Sequence, residues 1–151
     1  MLPINNSERC NLSEVISNNR VKKILLVDDE RDVLYTIKNI LEENGFQVDT
    51  FYDPIISLKF YKSGYYNLVI LDIKMPKMDG FELYTKIREK DSKVKICFLT
   101  ASEMYYEKFR KTRSELGRII GEDCFIQKPI KNEDLVKKLT DIINIDISTH
   151  A

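Results

Sequence analysis

Four short apolar stretches of the sequence each lead into side chains that can take part in polar chemistry. Those side chains are three carboxylates, one hydroxyl and one ammonium group: Asp28, Asp29, Asp72, Thr100 and Lys128. If the stretches are parallel strands of one open sheet, their carboxyl ends share the edge at which such sheets bind ligands. The sequence therefore predicts a single cleft in which all five side chains meet.

Three carboxylates in one cleft require a counter-charge. Two charges ~4 Å apart repel each other by ~4 kcal/mol at an effective dielectric constant of about 20. A hard divalent cation relieves this repulsion, and ligands that are all oxygen favour Mg²⁺, Mn²⁺ or Ca²⁺ over zinc. Mg²⁺ takes few carboxylates and completes its shell with water and phosphate oxygens. We therefore expect Asp28, Asp29 and Asp72 to hold Mg²⁺ against a phosphoryl group, with Mn²⁺ or Ca²⁺ as substitutes.

The elements that must position these residues alternate along the chain, as in βαβ units. Strands are predicted over about 22–28, 46–51, 67–72, 94–99 and 123–127. Helices are predicted over about 31–43, from about 53 onward, and over about 80–89, 102–116 and 132–144. Continuous apolar strands indicate that helices cover both faces of the sheet. The predicted fold is α/β and flavodoxin-like: a doubly wound, five-stranded parallel sheet of order 2-1-3-4-5 with five helices.

Local residues predict where individual helices begin and end. Asn44 and Gly45 tolerate the left-handed conformation and should end the first helix. Asp53 should cap the second helix, with Pro54 in its first turn. Gly80 follows a turn, where we expect it to provide backbone freedom.

Composition limits the class of protein. The chain has 151 residues, of which 43% are hydrophobic and 32% charged, as in one globular domain. Its 24 basic and 24 acidic residues cancel, so bulk charge favours neither nucleic acid nor an anionic membrane as a direct partner. The cysteines lack metal-ligand spacing and no apolar stretch could span a membrane, so we expect a cytoplasmic protein. We predict an extension at 1–20, a domain at 21–145 and a tail at 146–151.

The motifs at the strand ends resemble those of the receiver domain of two-component response regulators. They are Val27-Asp28-Asp29-Glu30, Asp72-Ile73-Lys74-Met75-Pro76-Lys77-Met78-Asp79-Gly80, Thr100-Ala101 and Lys128-Pro129. Their order and spacing match as well as their residue types, over about Val21 to Ile145. The resemblance implies that Asp72 accepts a phosphoryl group from the phosphohistidine of a sensor histidine kinase or a phosphotransfer protein.

The same resemblance implies the other roles. Asp28, Asp29, Asp72 and the backbone carbonyl of Lys74 would bind Mg²⁺. Thr100 and Lys128 would contact the phosphoryl group. Thr100 and Phe125 would form a conformational switch, and the Lys128–Pro129 peptide bond would be cis.

Each of these residues also has a purely structural explanation. Asp28 or Asp29 could cap the first helix. Thr100 could cap the helix predicted to begin near Ser102, and Phe125 could be a buried strand aromatic. For Thr100 and Phe125 the structural and functional roles are compatible. For the acidic pair, the additional presence of Asp72 favours a metal site.

The resemblance implies a signalling switch and not an enzyme. We expect a stand-alone response regulator that changes its binding to a downstream protein. The face formed by the predicted fourth helix, fifth strand and fifth helix should mediate this binding, and a homodimer is a possible form. Tyr106 and Arg110, outward on the fourth helix, should set partner choice. One alternative is a receiver cut from a larger regulator. Another is a haloacid-dehalogenase-like Mg²⁺ phosphatase, whose second acid, two residues after the nucleophile, is replaced here by Lys74.

Overall fold

The computed structural model describes residues 20–101 and 125–144. Its elements, in chain order, are β1 (Lys23–Val27), α1 (Arg31–Glu43), β2 (Gln47–Phe51), α2 (Pro54–Lys59), β3 (Leu68–Leu71), α3 (Gly80–Lys90), β4 (Lys95–Thr100), β5 (Phe125–Gln127) and α4 (Asn132–Asn144). The predicted helix over 102–116, with Tyr106 and Arg110, lies outside the described residues. None of the described helices combines the length and apolar character needed to cross a membrane.

The described strands form one parallel sheet of order β2-β1-β3-β4-β5, which confirms the predicted topology. In the β1–β3 register Val27 lies opposite Leu71. The Asp72 amide continues this pairing by donating to the Val27 carbonyl at 2.9 Å. Because both strands end at the same level, the carboxylates that follow them are brought to one edge of the sheet.

Helices cover both faces of the sheet, as the continuous apolar strands predicted. One core contains α1 and α4, whose buried residues recur at helical spacing: Leu34, Ile37, Leu41, Leu135, Leu139 and Ile142. The other core contains Leu83, Tyr84 and Ile87 of α3. Strand side chains alternate between the two cores, so that Leu26 belongs to the first and Leu25 to the second. The sheet is thereby packed on both faces beneath the edge that carries the polar residues.

The predicted helix ends are confirmed. Asn44 is the C-cap of α1, and Gly45 follows it with a left-handed φ of 88°. The Asp53 side chain accepts hydrogen bonds from the amides of Ile55 and Ile56 at the start of α2, and Pro54 occupies its first turn.

Gly80 serves a different purpose from the predicted one. Its φ is not in the left-handed region; the positive φ of this loop belongs to Lys77, at 70°. A Cβ atom at Gly80 would lie 2.4 Å from the carbonyl oxygen of Asp72 and 2.9 Å from the Cα of Ile73. Glycine is therefore required because α3 begins in direct contact with the backbone that carries Asp72.

Candidate metal and phosphoacceptor site

A cleft of about 660 Å³ opens at the carboxyl edge of the sheet. Four of the five predicted side chains line it: Asp29, Asp72, Thr100 and Lys128. Asp28 joins them through Lys128, whose Nζ lies 2.7 Å from its Oδ2. The structure thus brings together residues that are up to 100 positions apart in the chain.

The three carboxylates form one cluster. One oxygen each of Asp28, Asp29 and Asp72 can be chosen so that all three atoms lie within 4.8 Å of one another. Asp28 and Asp72 are only 1% and 6% exposed, whereas Asp29 is accessible to solvent. Two buried acids and one accessible acid at this spacing give an oxygen-rich site with an open side, which suits Mg²⁺ with its remaining water or phosphate ligands.

The structural alternative for the acidic pair is not supported. The N-cap position of α1 is occupied by Glu30 and not by Asp28 or Asp29. Among the described residues, no side chain forms a capping hydrogen bond there. Asp28 instead accepts a hydrogen bond from the Glu30 amide through Oδ1, at 3.0 Å. This bond orients the carboxylate at the turn between β1 and α1, so that its second oxygen meets Lys128.

The Asp28–Lys128 ion pair is largely desolvated. The Lys128 side chain is 16% exposed and that of Asp28 only 1%. Removing one partner of such a pair leaves an uncompensated buried charge, which is strongly destabilising. Lys128 is therefore held in the cleft by a specific partner rather than extended into solvent.

The electrostatics of the cleft favour a further cation. Burial, then the charge of Asp28, and to a smaller extent that of Asp29, raise the pKa of Asp72 to about 7. The charge of Lys128 and the hydrogen bond from the Ile73 amide act in the opposite direction without cancelling the rise. A divalent cation at this position would favour the ionised carboxylate, because an adjacent positive charge lowers the pKa of an acid.

A tight loop connects Asp72 to α3 and brings Lys74 to the cleft. The Gly80 amide closes the loop by donating to the Ile73 carbonyl at 2.8 Å. Asp79 caps α3 by accepting from the Glu82 amide at 2.9 Å. The backbone of Lys74 is therefore placed by a loop that is fixed at both ends.

The remaining predicted residues lie at β4 and β5. Thr100 ends β4 and is buried beside the cleft. Its carbonyl accepts from the Lys128 amide at 2.7 Å, which ties the ends of the two strands together. Phe125 is buried, with its ring 6.5 Å from that of Phe98 between centroids. The Lys128–Pro129 bond is cis, as predicted.

The model of the response regulator receiver domain family matches residues 24–140, most of the chain. This chain belongs to that family. The receiver is 32% identical over 117 residues to the transcriptional regulatory protein DltR of Streptococcus agalactiae serotype III (strain NEM316). The match covers 78% of this chain and 50% of DltR, so the chain spans about half the length of that relative. Membership of the family decides against the phosphatase alternative.

Solved receiver structures are similar to this receiver over nearly their whole length. The non-phosphorylated HemR receiver domain of Leptospira biflexa superimposes with a TM-score of 0.70 at 28% identity, covering 83% of this receiver and 96% of that chain. The response regulator TrrA of Thermotoga maritima, solved in complex with Mg²⁺ and BeF, has a TM-score of 0.67 at 36% identity. That match covers 81% of this receiver and 99% of TrrA.

One residue of the receiver's cleft and one ion pair near it could not be predicted from the sequence. Met75 is 7% exposed and lines the cleft, but an apolar side chain in a loop gives no chemical indication of its position. Lys77 forms an ion pair with Asp53, 24 residues away, at 3.0 Å. Lysines and aspartates are common throughout this sequence, so the pairing could be found only from the tertiary structure.

Proposed function

We propose that this receiver accepts a phosphoryl group on Asp72 in a reaction that requires Mg²⁺. The observation that carries the proposal is the convergence of three carboxylates within 4.8 Å beside the Lys128–Asp28 pair. The family match and the similarity to TrrA, which was solved with Mg²⁺ and BeF, support it. The donor is the phosphohistidine of a sensor histidine kinase or of a phosphotransfer protein.

In this reaction an Asp72 carboxylate oxygen attacks the phosphorus atom. A new O–P bond forms, the N–P bond of the phosphohistidine breaks, and the histidine leaves with its electron pair and takes up a proton. Asp28, Asp29, Asp72 and the Lys74 carbonyl would hold the cation. Bound Mg²⁺ would supply positive charge to the phosphoryl oxygens and to the crowded carboxylates.

Lys128 and Thr100 act on the transferred group. The Lys128 ammonium, held at the cleft by Asp28, can turn to a phosphoryl oxygen as a mobile point charge. Thr100 lines the same cleft, and its hydroxyl would donate a hydrogen bond to another phosphoryl oxygen. Both interactions stabilise charge that Asp72 gains only on phosphorylation.

These movements connect the site to a partner-binding face. Phe125 is buried three residues before Lys128, at the start of β5. Movement of Thr100 and Lys128 toward the phosphoryl group changes the packing around Phe125 and shifts the predicted partner-binding face, of whose elements β5 and α4 are among the described residues. The receiver then changes its affinity for a downstream protein or for a second copy of itself, whether it acts alone or within a larger regulator.

Incubation with acetyl phosphate, with and without Mg²⁺, tests the proposal. Intact-mass spectrometry should show one base-labile phosphoryl group per chain when Mg²⁺ is present and none in EDTA. Asp72→Asn should abolish the adduct, whereas Asp32→Asn, an exposed acid in the first turn of α1, should leave it unchanged. An adduct that persists in Asp72→Asn, or that forms equally well in EDTA, would refute the proposal.

A further inference from the structure

The loop between Asp72 and Gly80 contains a strained turn. The Met78 amide donates to the Pro76 carbonyl at 2.8 Å, and the residue between them, Lys77, has a φ of 70°. An i to i+2 hydrogen bond around a positive φ defines a type of γ-turn that is rare and strained. A lysine tolerates this conformation poorly because of its Cβ atom, so other contacts must hold it there.

This turn lies next to the candidate cation site. Lys77 is three residues after Lys74, which lines the cleft. The loop returns to α3 through the Gly80 amide, which donates to the Ile73 carbonyl. Because the two ends are fixed and close together, the γ-turn determines the path of the segment between them, and hence where the Lys74 carbonyl is presented.

One ion pair connects the turn to a different part of the fold. The Nζ of Lys77 donates to Asp53 Oδ2 at 3.0 Å, and the side chains are 61% and 15% exposed respectively. The other oxygen of Asp53 accepts from the Ile55 and Ile56 amides and so caps α2. Both carboxylate oxygens are thus engaged, which gives Lys77 an anchor of fixed position. The hydrogen bond from Lys77 also lowers the pKa of Asp53 below its ordinary value.

We propose that the Lys77–Asp53 ion pair is a clamp that holds the strained γ-turn, and thereby positions the Lys74 carbonyl for the divalent cation. Asp53 and Lys77 are then positioning residues for cation binding. That the ion pair holds the loop follows from the geometry alone, whereas its effect on Mg²⁺ binding rests on the function proposed above.

Positioning and simple electrostatics predict opposite results for one substitution. Lys77→Met removes a positive charge near a cation site, so long-range electrostatics alone would strengthen Mg²⁺ binding. If the clamp positions a ligand, the same substitution weakens Mg²⁺ binding, because the turn keeps its strain and loses its anchor. The sign of the change therefore decides between the two.

Two quantities are measured. The affinity for Mg²⁺ is measured by calorimetry without chelator, and the hydrogen-exchange rate of the Met78 amide is measured separately in EDTA. Lys77→Met and Asp53→Asn, which keeps a capping side chain, should each weaken Mg²⁺ binding about threefold to fivefold, the effect of one ion pair. Each should also speed Met78 exchange. The double variant should be no worse than either single one. Lys77→Gly should bind Mg²⁺ better than Lys77→Met, because glycine adopts the positive φ without strain.

Lys38→Met is the matched control, because it removes a lysine that pairs with Glu42 within α1. It should change neither measurement. Unchanged or tighter Mg²⁺ binding by Lys77→Met, or additive losses in the double variant, would overturn the proposal. Failure of Asp72 to accept a phosphoryl group would refute the proposed function but would leave the Met78 exchange result standing, so the two failures are distinguishable.

Discussion

The crowding of the acidic cluster predicts that Asp72→Asn stabilises the cation-free receiver. The pKa of Asp72 is raised to about 7, mainly by burial and then by the charge of Asp28. In the unfolded chain the same carboxyl titrates near its ordinary value of 3.8. Between about pH 4 and about pH 7 the folded protein therefore binds a proton that the unfolded chain has released. The raised pKa of Asp72 therefore stabilises the folded state fully below about pH 4, and this contribution to the free energy of unfolding is lost as the pH rises to about 7.

The size of the effect follows from the difference between the two pKa values. A rise from 3.8 to about 7 corresponds to an upper limit of ~4 kcal/mol in the free energy of unfolding. The cleft is open to water and salt on the side of Asp29, which screens this repulsion. We expect Asp72→Asn to gain ~1–2 kcal/mol near pH 8, which raises the melting temperature by about 3–6 °C for a domain of this size. Near pH 4 the gain should be below ~0.5 kcal/mol.

Thermal unfolding in EDTA, followed by circular dichroism across this pH range, measures the gain. Asp32→Asn serves as the control for loss of an exposed acid. Added Mg²⁺ should stabilise the parent protein more than Asp72→Asn and so narrow the difference near neutral pH. If Asp72→Asn were no more stable than the parent near pH 8, or if its gain did not depend on pH, the electrostatic account of the cleft would be wrong.

Three further substitutions test the surroundings of the site, with urea unfolding in EDTA as the measurement. Gly80→Ala should cost ~3 kcal/mol, because the new Cβ would meet backbone atoms beside Asp72. Gly64→Ala is the control: φ is 76° there but nothing lies within 4 Å of the new Cβ, so it should cost only ~1 kcal/mol. Equal costs would show that the close approach of Gly80 to the Asp72 backbone does not matter. Lys128→Met should cost ~2–3 kcal/mol because it leaves Asp28 buried without its partner. The cost should be smaller when unfolding is repeated with Mg²⁺ in place of EDTA, and an unchanged cost would be evidence against a cation site there. Asp91→Ala should cost ~2 kcal/mol, since this side chain accepts hydrogen bonds from the Tyr61 hydroxyl, from the Gly64 amide before β3 and from two backbone amides after α3. A neutral effect would show that water replaces these bonds.

Much of the fold could be predicted because its determinants are local. The apolar spacing of Leu34, Ile37 and Leu41 identified α1, and Asn44 with Gly45 identified its end. The continuous apolar runs of β1 and β3 indicated a sheet covered on both faces, and that arrangement fixes a small number of topologies. Polar residues directly after buried strands then had to share the carboxyl edge, so the residues of the cleft were recognisable before their contacts were known.

Contacts between distant side chains were decided only by the tertiary structure. The sequence by itself determined that acids, a hydroxyl and a lysine would gather at one edge, because each follows a strand and the alternation of strands and helices makes the strands parallel. It did not determine that Lys128 meets Asp28, that Lys77 meets Asp53, or that Gly80 is required by the backbone of Asp72. Such pairings depend on ångström-scale positions set by packing of the whole domain, and no periodicity along the chain encodes them.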